Sequence, residues 1–376
     1  MPFREPAFTI GVEEEYLLVD KESRDLVSEA PAGLMEACSA AMDEQVSPEF
    51  LQCQIEIGTK VCQTVTETRG QLTHLRGRIA EVAGEFGLAP IAASTHPFGT
   101  WASQHHTHKE RYDSLARDLG AVVQRLLICG MHVHVCIDDQ DLRIDIQNQA
   151  AYFLPHFLAL STSSPFWEGR DTQLNSFRHV IFDALPRTGL PPQFGSAGEY
   201  DRTIKVLVEA GLIEDASKIW WDLRPSSKFP TLEMRICDVP TRVDDTVCIA
   251  ALYVCILRML WRLRRNNQRW RQYSTFLISE NRWRAQRYSL EEGLIDFGLG
   301  EIVPYSDLAE ELIDLVREDA EALDCVREVE YIRTIVKDGT SADRQRKLYL
   351  EMLETGAEQH EALKAVVDQL IAETVA

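Results

Sequence analysis

The chain has 376 residues, 45% apolar and 26% charged. This is an ordinary globular composition that excludes disorder and leaves room for one elaborate domain or two ordinary ones. A net charge of −20 and a pI of about 5.0 exclude a broad nucleic-acid or anionic-membrane surface, but not a single nucleotide held by a few arginines and metal ions. The nine cysteines are odd in number and contain no C-x-x-C pair, so they read as reduced, mostly buried thiols of a cytoplasmic protein. Met1 to Pro6 lacks the apolar core of a signal peptide. The longest apolar run, Val247 to Leu257, is well short of the ~20 residues that span a bilayer and reads as a buried helix.

Alternation over Phe8 to Val19 predicts a strand. Ile10, Val12, Glu14 and Tyr16 fall on one face, and Gly11, Glu13, Glu15 and Leu17 on the other. Three consecutive glutamates repel one another, and a bound cation would relieve this. A charge-protected edge strand is an equal alternative for this stretch. Leu51 to Ile57 also alternates, with Leu51, Cys53, Ile55 and Ile57 toward a core and Glu56 on the opposite side. Glu49 and Glu56 share a face only if the chain bends or bulges near Phe50. Thr64 to Phe86 has helical spacing, closed by Gly87. Ile91 to Thr95 predicts a short strand running into His96-Pro97-Phe98-Gly99. Gln104 to His108 reads as a loop of surface histidines before Glu110-Arg111-Tyr112.

Leu126 to Ile137 predicts a strand on which His132 and His134 share a polar face after Gly130, a pattern suited to metal or phosphate. Ala150 to Ser161 and Thr203 to Ala210 predict helices, separated by a polar loop that holds Arg178. On Thr231 to Asp238, Leu232, Met234 and Ile236 face one way and Glu233 and Arg235 the other. The carboxylate suits a hard cation and the guanidinium fork a phosphate, while an exposed strand with a salt bridge is the bland reading. From Asp244 the pattern is mostly helical: Val247 to Leu263, a basic stretch from Asn281 to Tyr288, then Ser306 to Ile335, Ser341 to Glu354 and Glu358 to Val375, with a hairpin or a loop excursion from Leu290 to Tyr305. The basic stretch is either a meeting point for an anionic ligand or a helix end decorated with arginines. No repeat or linker interrupts the chain. A single domain over 1–376 follows, with polar-faced strands mainly in 8–240 and a helical shell mainly in 244–375.

Together the polar faces carry Glu13, Glu15, Glu49, Glu56, His132, His134, Glu233 and Arg235. Carboxylate-rich sites favour Mg2+ or Mn2+ over Zn2+, and this many carboxylates implies two or three ions, a setting for phosphoryl chemistry. A zinc hydrolase built on His132 and His134 lacks a third strand-borne histidine or cysteine. Neither G-x-x-x-x-G-K-[ST] nor G-x-G-x-x-G occurs.

Gly11-Val-Glu-Glu-Glu15, Pro48 to Glu56, Thr95-His-Pro-Phe98, Glu110-Arg-Tyr112, Gly130-Met-His-Val-His134, Trp221-Asp-Leu-Arg-Pro225, Leu232 to Asp238 and Asn281-Arg-Trp283 through Arg287 together resemble the type 2 glutamate–cysteine ligases. These are carboxylate–amine ligases of the glutamine synthetase-like superfold. The resemblance implies an α+β fold, a largely antiparallel curved sheet carrying the site with helices packed outside. It implies metal ligands at Glu13, Glu15, Glu49, Glu56, His132 and Glu233, and ATP contacts at His134, Arg235 and Arg287. Arg178, Trp221 and Arg224 would bind substrate, with Arg235 and Glu56 at the reacting centre. The implied activity is ATP-dependent amide formation through an acyl phosphate, by default from glutamate and cysteine, in a cytoplasmic homodimer using Mg2+ or Mn2+. The alternatives are a guanidino-kinase-type phosphotransferase on the same superfold, or a non-catalytic nucleotide- or metal-binding module.

Overall fold

The computed structural model describes residues 4–107, 120 and 125–376. The Glu110-Arg111-Tyr112 motif and His108 lie outside the described residues. A seven-stranded antiparallel sheet organises the remainder. Its strands are β1 (Ile10–Asp20), β2 (Val46–Pro48), β3 (Gln54–Gly58), β4 (Leu88–Ile91), β5 (Met131–Cys136), β6 (Leu223–Pro225) and β7 (Thr231–Met234). The order is β6-β7-β5-β1-β3-β2. The long β1 pairs with β5 over its first half and with β4 over its second.

The apolar parity of these strands makes one face of the sheet a core wall. Ile10, Val12, Met131, Val133, Val135, Leu232 and Met234 are all buried. Helices α1 (Leu34–Met42) and α2 (Val65–Glu85) follow the first strands. Thr64 caps α2 by accepting a hydrogen bond from the Glu67 amide, which satisfies one of the helix's orphan donors. Then come α3 (Gln140–Ala150), α4 (Leu154–Ser161), α5 (Ala197–Glu209), α6 (Val243–Arg265), α7 (Thr275–Tyr288), α8 (Tyr305–Ala322), α9 (Ser341–Glu354) and α10 (Gln359–Thr374). Helices α2 and α6 pack on β1, and α6 is itself enclosed by α2, α3, α4 and α8. One hydrophobic cluster runs from Phe8 to Leu370 through this layer. By length and composition α6 could cross a membrane, but 83% of its apolar window is buried inside the protein. It is the core helix that its apolar run predicts, extended at both ends.

Several elements differ from their sequence signal. The strand read from Leu51 to Ile57 begins only at Gln54, because Leu51 to Cys53 form a turn after β2. The short strand lies at Leu88–Ile91, before Ala92 to Thr95. Helix α3 carries no clean apolar stripe, since Arg143, Gln147, Asn148 and Gln149 are buried beside its aliphatic residues. The helix read over Ser306 to Ile335 is broken where Asp324 adopts a positive φ of 51°, and resumes as Val326–Glu330 and Ile332–Asp338. The hairpin between Leu290 and Tyr305 is present as Leu294–Asp296 paired with Glu301–Val303.

Candidate active site

The second face of the sheet is polar, and strand register assembles it. Glu13 lies opposite His132, and Glu15 opposite Glu56. Glu233 lies opposite His134 on one side and Arg224 on the other. Directly opposed residues share a sheet face, so these side chains converge on one cleft of about 490 Å3. The third glutamate of the run, Glu14, faces the core instead. It is fully buried and bonded by the Arg76 guanidinium at 2.6 and 2.9 Å, with Thr246 and Tyr16 completing its shell.

Glu49 reaches the same cleft by a turn rather than by strand parity. Its segment leads out of β2, which is antiparallel to β3, and the Leu51–Cys53 turn brings it alongside Glu56. The bend that the sequence demanded near Phe50 is thus a reversal between neighbouring strands.

Three overlapping sets of side chains could each hold a cation: Glu13, His134 and Glu233; Glu13, Glu56 and His132; Glu15, Glu49 and Glu56. Within each set the ligand atoms lie within 4.8 Å of one another. The electrostatics fit cations. Burial and then the Glu56 carboxylate push Glu15 up to about 7, against Arg178 and the Gly130 amide. Burial, Glu49 and Glu13 push Glu56 well above the usual carboxylate range. Such crowding is the environment that a divalent ion relieves. Burial also opposes the charge of Glu13, yet the hydrogen bond from His132 and the close approach of His134 outweigh it and hold Glu13 below the usual range. His132 is pulled down to about 4 by burial and then Arg235. It is therefore neutral and donates from Nδ1 to Glu13 at 3.1 Å. His134 pairs through Nδ1 with Thr231 at 2.9 Å. Its buried Nε2 has no hydrogen-bond partner and lies 3.6 Å from Glu13, which groups it with the side chains that could hold a cation.

Arginines line the other side of the cleft. Arg224 holds Glu233 with two hydrogen bonds of 2.9 and 3.1 Å, and Arg235 bonds the same carboxylate. Burial disfavours the charge of Glu233, but Arg235 and Arg224 override it and keep the group ionised. At 2% exposure Glu233 is no surface salt-bridge residue. Arg178 is buried under the end of the strand, bonding the Arg235 and Ile236 carbonyls. A Cβ at Gly130 would lie 2.5 Å from its guanidinium, so glycine there lets the Arg178 head sit close, and a larger residue would push it aside.

The family described as glutamate–cysteine ligase family 2 matches residues 9–369. The chain belongs to this family. A Rhodospirillum rubrum protein named "Putative glutamate–cysteine ligase 2" is 60% identical over 99% of this chain and 97% of its own length. A Jannaschia sp. protein of the same name is 57% identical over 98% and 97%. A crystal structure of a Francisella tularensis glutamate–cysteine ligase in complex with AMP superposes with a TM-score of 0.70 at 13% identity, covering 100% of this chain and 90% of that one. A Pasteurella multocida bifunctional glutathione synthetase gives 0.69 at 15%, covering 98% of this chain and 52% of the other. Both establish the glutamate–cysteine ligase fold, α+β with an antiparallel sheet.

Within this glutamate–cysteine ligase fold two anticipated residues do not join the cleft. Trp221 points to a small satellite cluster, packing on Phe194 and Tyr200, because its strand neighbour Trp220 takes the cleft side. Arg287 bonds the Gln173 carbonyl and stacks over Tyr288. The rest of the basic stretch is also spent internally. Arg282 bonds Asp222, Asp183 and His179, while Asn281 and Arg284 bond the backbone of the neighbouring hairpin. Asp238 is a hub that periodicity did not reveal. It accepts from Ser163, Ser164 and Ser176 and so anchors the loop beneath Arg178. Lys218, Lys228 and Phe229 also line the cleft. Lys218 ends a short 3-10 helix and Lys228 and Phe229 sit in a bend, where no alternation singles them out.

Proposed function

We propose that this protein is an ATP-dependent carboxylate–amine ligase, by default joining glutamate to cysteine. The observation that carries the reading is the set of three overlapping carboxylate and imidazole groupings beside Arg178, Arg224 and Arg235, in a member of a ligase family. Glu13, Glu15, Glu49, Glu56, His132, His134 and Glu233 would hold two or three Mg2+ ions, with Mn2+ able to substitute. When bound, such ions neutralise charge between the phosphates and the incoming carboxylate.

The chain's own residues do the rest. Arg235, aimed into the cleft and fully committed to the charged state, donates to the transferring phosphoryl group. Arg178 and Arg224 present forks that orient a carboxylate. Glu56, lying between Glu13 and Glu49, sets charge at the reacting centre. Phosphorylation of the substrate carboxylate gives an acyl phosphate. Attack by the amine forms the C–N bond and expels inorganic phosphate, and water must be kept out meanwhile.

The chain acts as one catalytic domain in this reading. The nine free thiols, eight of them buried, support a reducing cytoplasm. The apolar stripes of the C-terminal helices are used inside the chain, with Leu312, Val316, Val366 and Leu370 buried, so they do not support a dimer. Phe276 and Trp283 do: they are exposed and seven residues apart on α7, hence on one face. Sedimentation should give a dimer at micromolar concentration. The activity test is incubation with ATP, Mg2+, glutamate and cysteine, then with a panel of other amines, following ADP and product mass. Absence of amide from every pair at high enzyme concentration would overturn the assignment.

A further inference from the structure

A second cavity, of about 430 Å3, lies between α3 and α5 on the far side of the β6–β7 turn. Ile144, Ala197, Ile204, Val208 and Pro225 give it an apolar wall, and its rim is polar, with Lys205 there paired to Glu209 at 3.5 Å. At its base is Arg143, only 7% exposed. The Arg143 guanidinium donates to two backbone carbonyls, Ile137 at 2.9 Å and Asp138 at 3.4 Å. Among the described residues no carboxylate forms a salt bridge with it, and its Nη1 has no hydrogen bond. Asp138 and Asp139 act on it only from beyond ion-pair distance, and native proteins normally give a buried guanidinium a direct carboxylate partner. Most other buried arginines here obey that rule, as Arg76, Arg282 and Arg344 show with Glu14, Asp222 and Asp245. Helix α5 leaves room for an occupant, because Ala197 is its only buried residue.

We propose that this cavity is a second binding site, for a small carboxylate with an apolar body. The carboxylate pairs with Arg143 and the body fills the space under α5. A planar guanidinium suits a carboxylate bidentately, and the aliphatic wall suits a branched or aromatic side chain. The acidic groups at the cavity, Asp201 and Asp215, lie on α5 and on the segment after it. Asp215 is used to cap the Ser217 amide. The site is distinct from the catalytic cleft but shares a wall with it, since Ser226 and Ser227 line both.

That shared wall dictates the controls. Titrate the whole protein calorimetrically with N-acetyl-L-leucine and with its neutral isostere N-acetyl-L-leucinamide. The acid should bind at least tenfold more tightly than the amide. Arg143→Met should erase that preference. Ile204→Trp, which fills the cavity from a half-buried helix position without touching Arg143, should abolish binding of the acid even if Arg143→Met fails to fold. Arg235→Lys, in the cleft, should leave acid binding within twofold. Equal affinity for acid and amide, no binding of the acid at tens of millimolar, or loss of binding in Arg235→Lys with retention in Ile204→Trp would each overturn the proposal.

Discussion

Glu233 has both of its oxygens engaged by arginines, so the metal-ligand role proposed for it and the roles proposed for its partners can be separated by substitution. Glu233→Gln keeps the shape and removes one charge. Turnover should fall, and raised Mg2+ or added Mn2+ should restore part of it, read as a shift in the metal concentration giving half-maximal rate. Arg235→Lys keeps the charge and loses the fork. It should lower turnover by roughly a hundredfold, the scale of losing one transition-state donor, with little change in metal dependence. Both variants should melt like the wild type, since packing rests on Leu232, Met234 and Ile236, all buried on the other face. Near wild-type turnover in both would remove this strand from the centre of the site.

At the scale of elements, β1 does two jobs with alternating residues. Glu13 and Glu15 serve the cleft, and Glu14 closes a buried network with Arg76 behind it. Arg76 is fully buried and also donates to the Pro240, Thr241 and Thr374 carbonyls, tying α2, the segment preceding α6, and α10 to the sheet. Arg76→Met would strand the Glu14 carboxylate and should cost about 3–5 kcal/mol, measured by urea unfolding. The double variant Glu14→Leu/Arg76→Met should be more stable than Arg76→Met alone, because replacing both charges removes the desolvation penalty. This division also shows what was legible in advance. Period-two alternation separates the faces of a strand, so Glu13, Glu15, His132, His134, Glu233 and Arg235 could be read from parity, and the sheet and core helix with them. Parity could not place Glu49, whose position depends on a turn. Nor could it distinguish the arginines of α7, which bond other segments of the same chain, from arginines that meet a ligand. Arg76 and Asp238 owe their roles to contacts more than 60 residues away, and no local pattern encodes these.

For the whole molecule, the crowded carboxylates make stability depend on pH and on cations together. Without a cation, native Glu15 holds its proton up to about pH 7, whereas the unfolded chain releases it near 4.5. Between those values the native state binds more protons than the unfolded state, so this group's contribution to stability is lost as pH rises through that window. Bound Mg2+ expels the proton and reverses the preference. Melting temperature in EDTA should therefore decline from pH 5.5 to 7.5, saturating Mg2+ should flatten the decline, and Mg2+ affinity should rise across the same range. Glu15→Gln should flatten the EDTA profile; a profile unchanged from the wild type would refute the assignment to this residue. The position of α6 in the chain carries a further consequence, for synthesis on the ribosome. The sheet is complete at residue 234, before α6 has been made, and the side of α6 that meets α8 stays open until α8 emerges. A nascent chain of some 240 residues thus leaves open the part of the apolar sheet face that α6 covers, although α2 already packs on β1. One of about 270 presents, in addition, a helix long and apolar enough to cross a membrane, with its α8 side still open. Transiently exposed apolar surface makes such partly made chains prone to aggregate, so chains truncated near residue 270 should aggregate where the full chain folds.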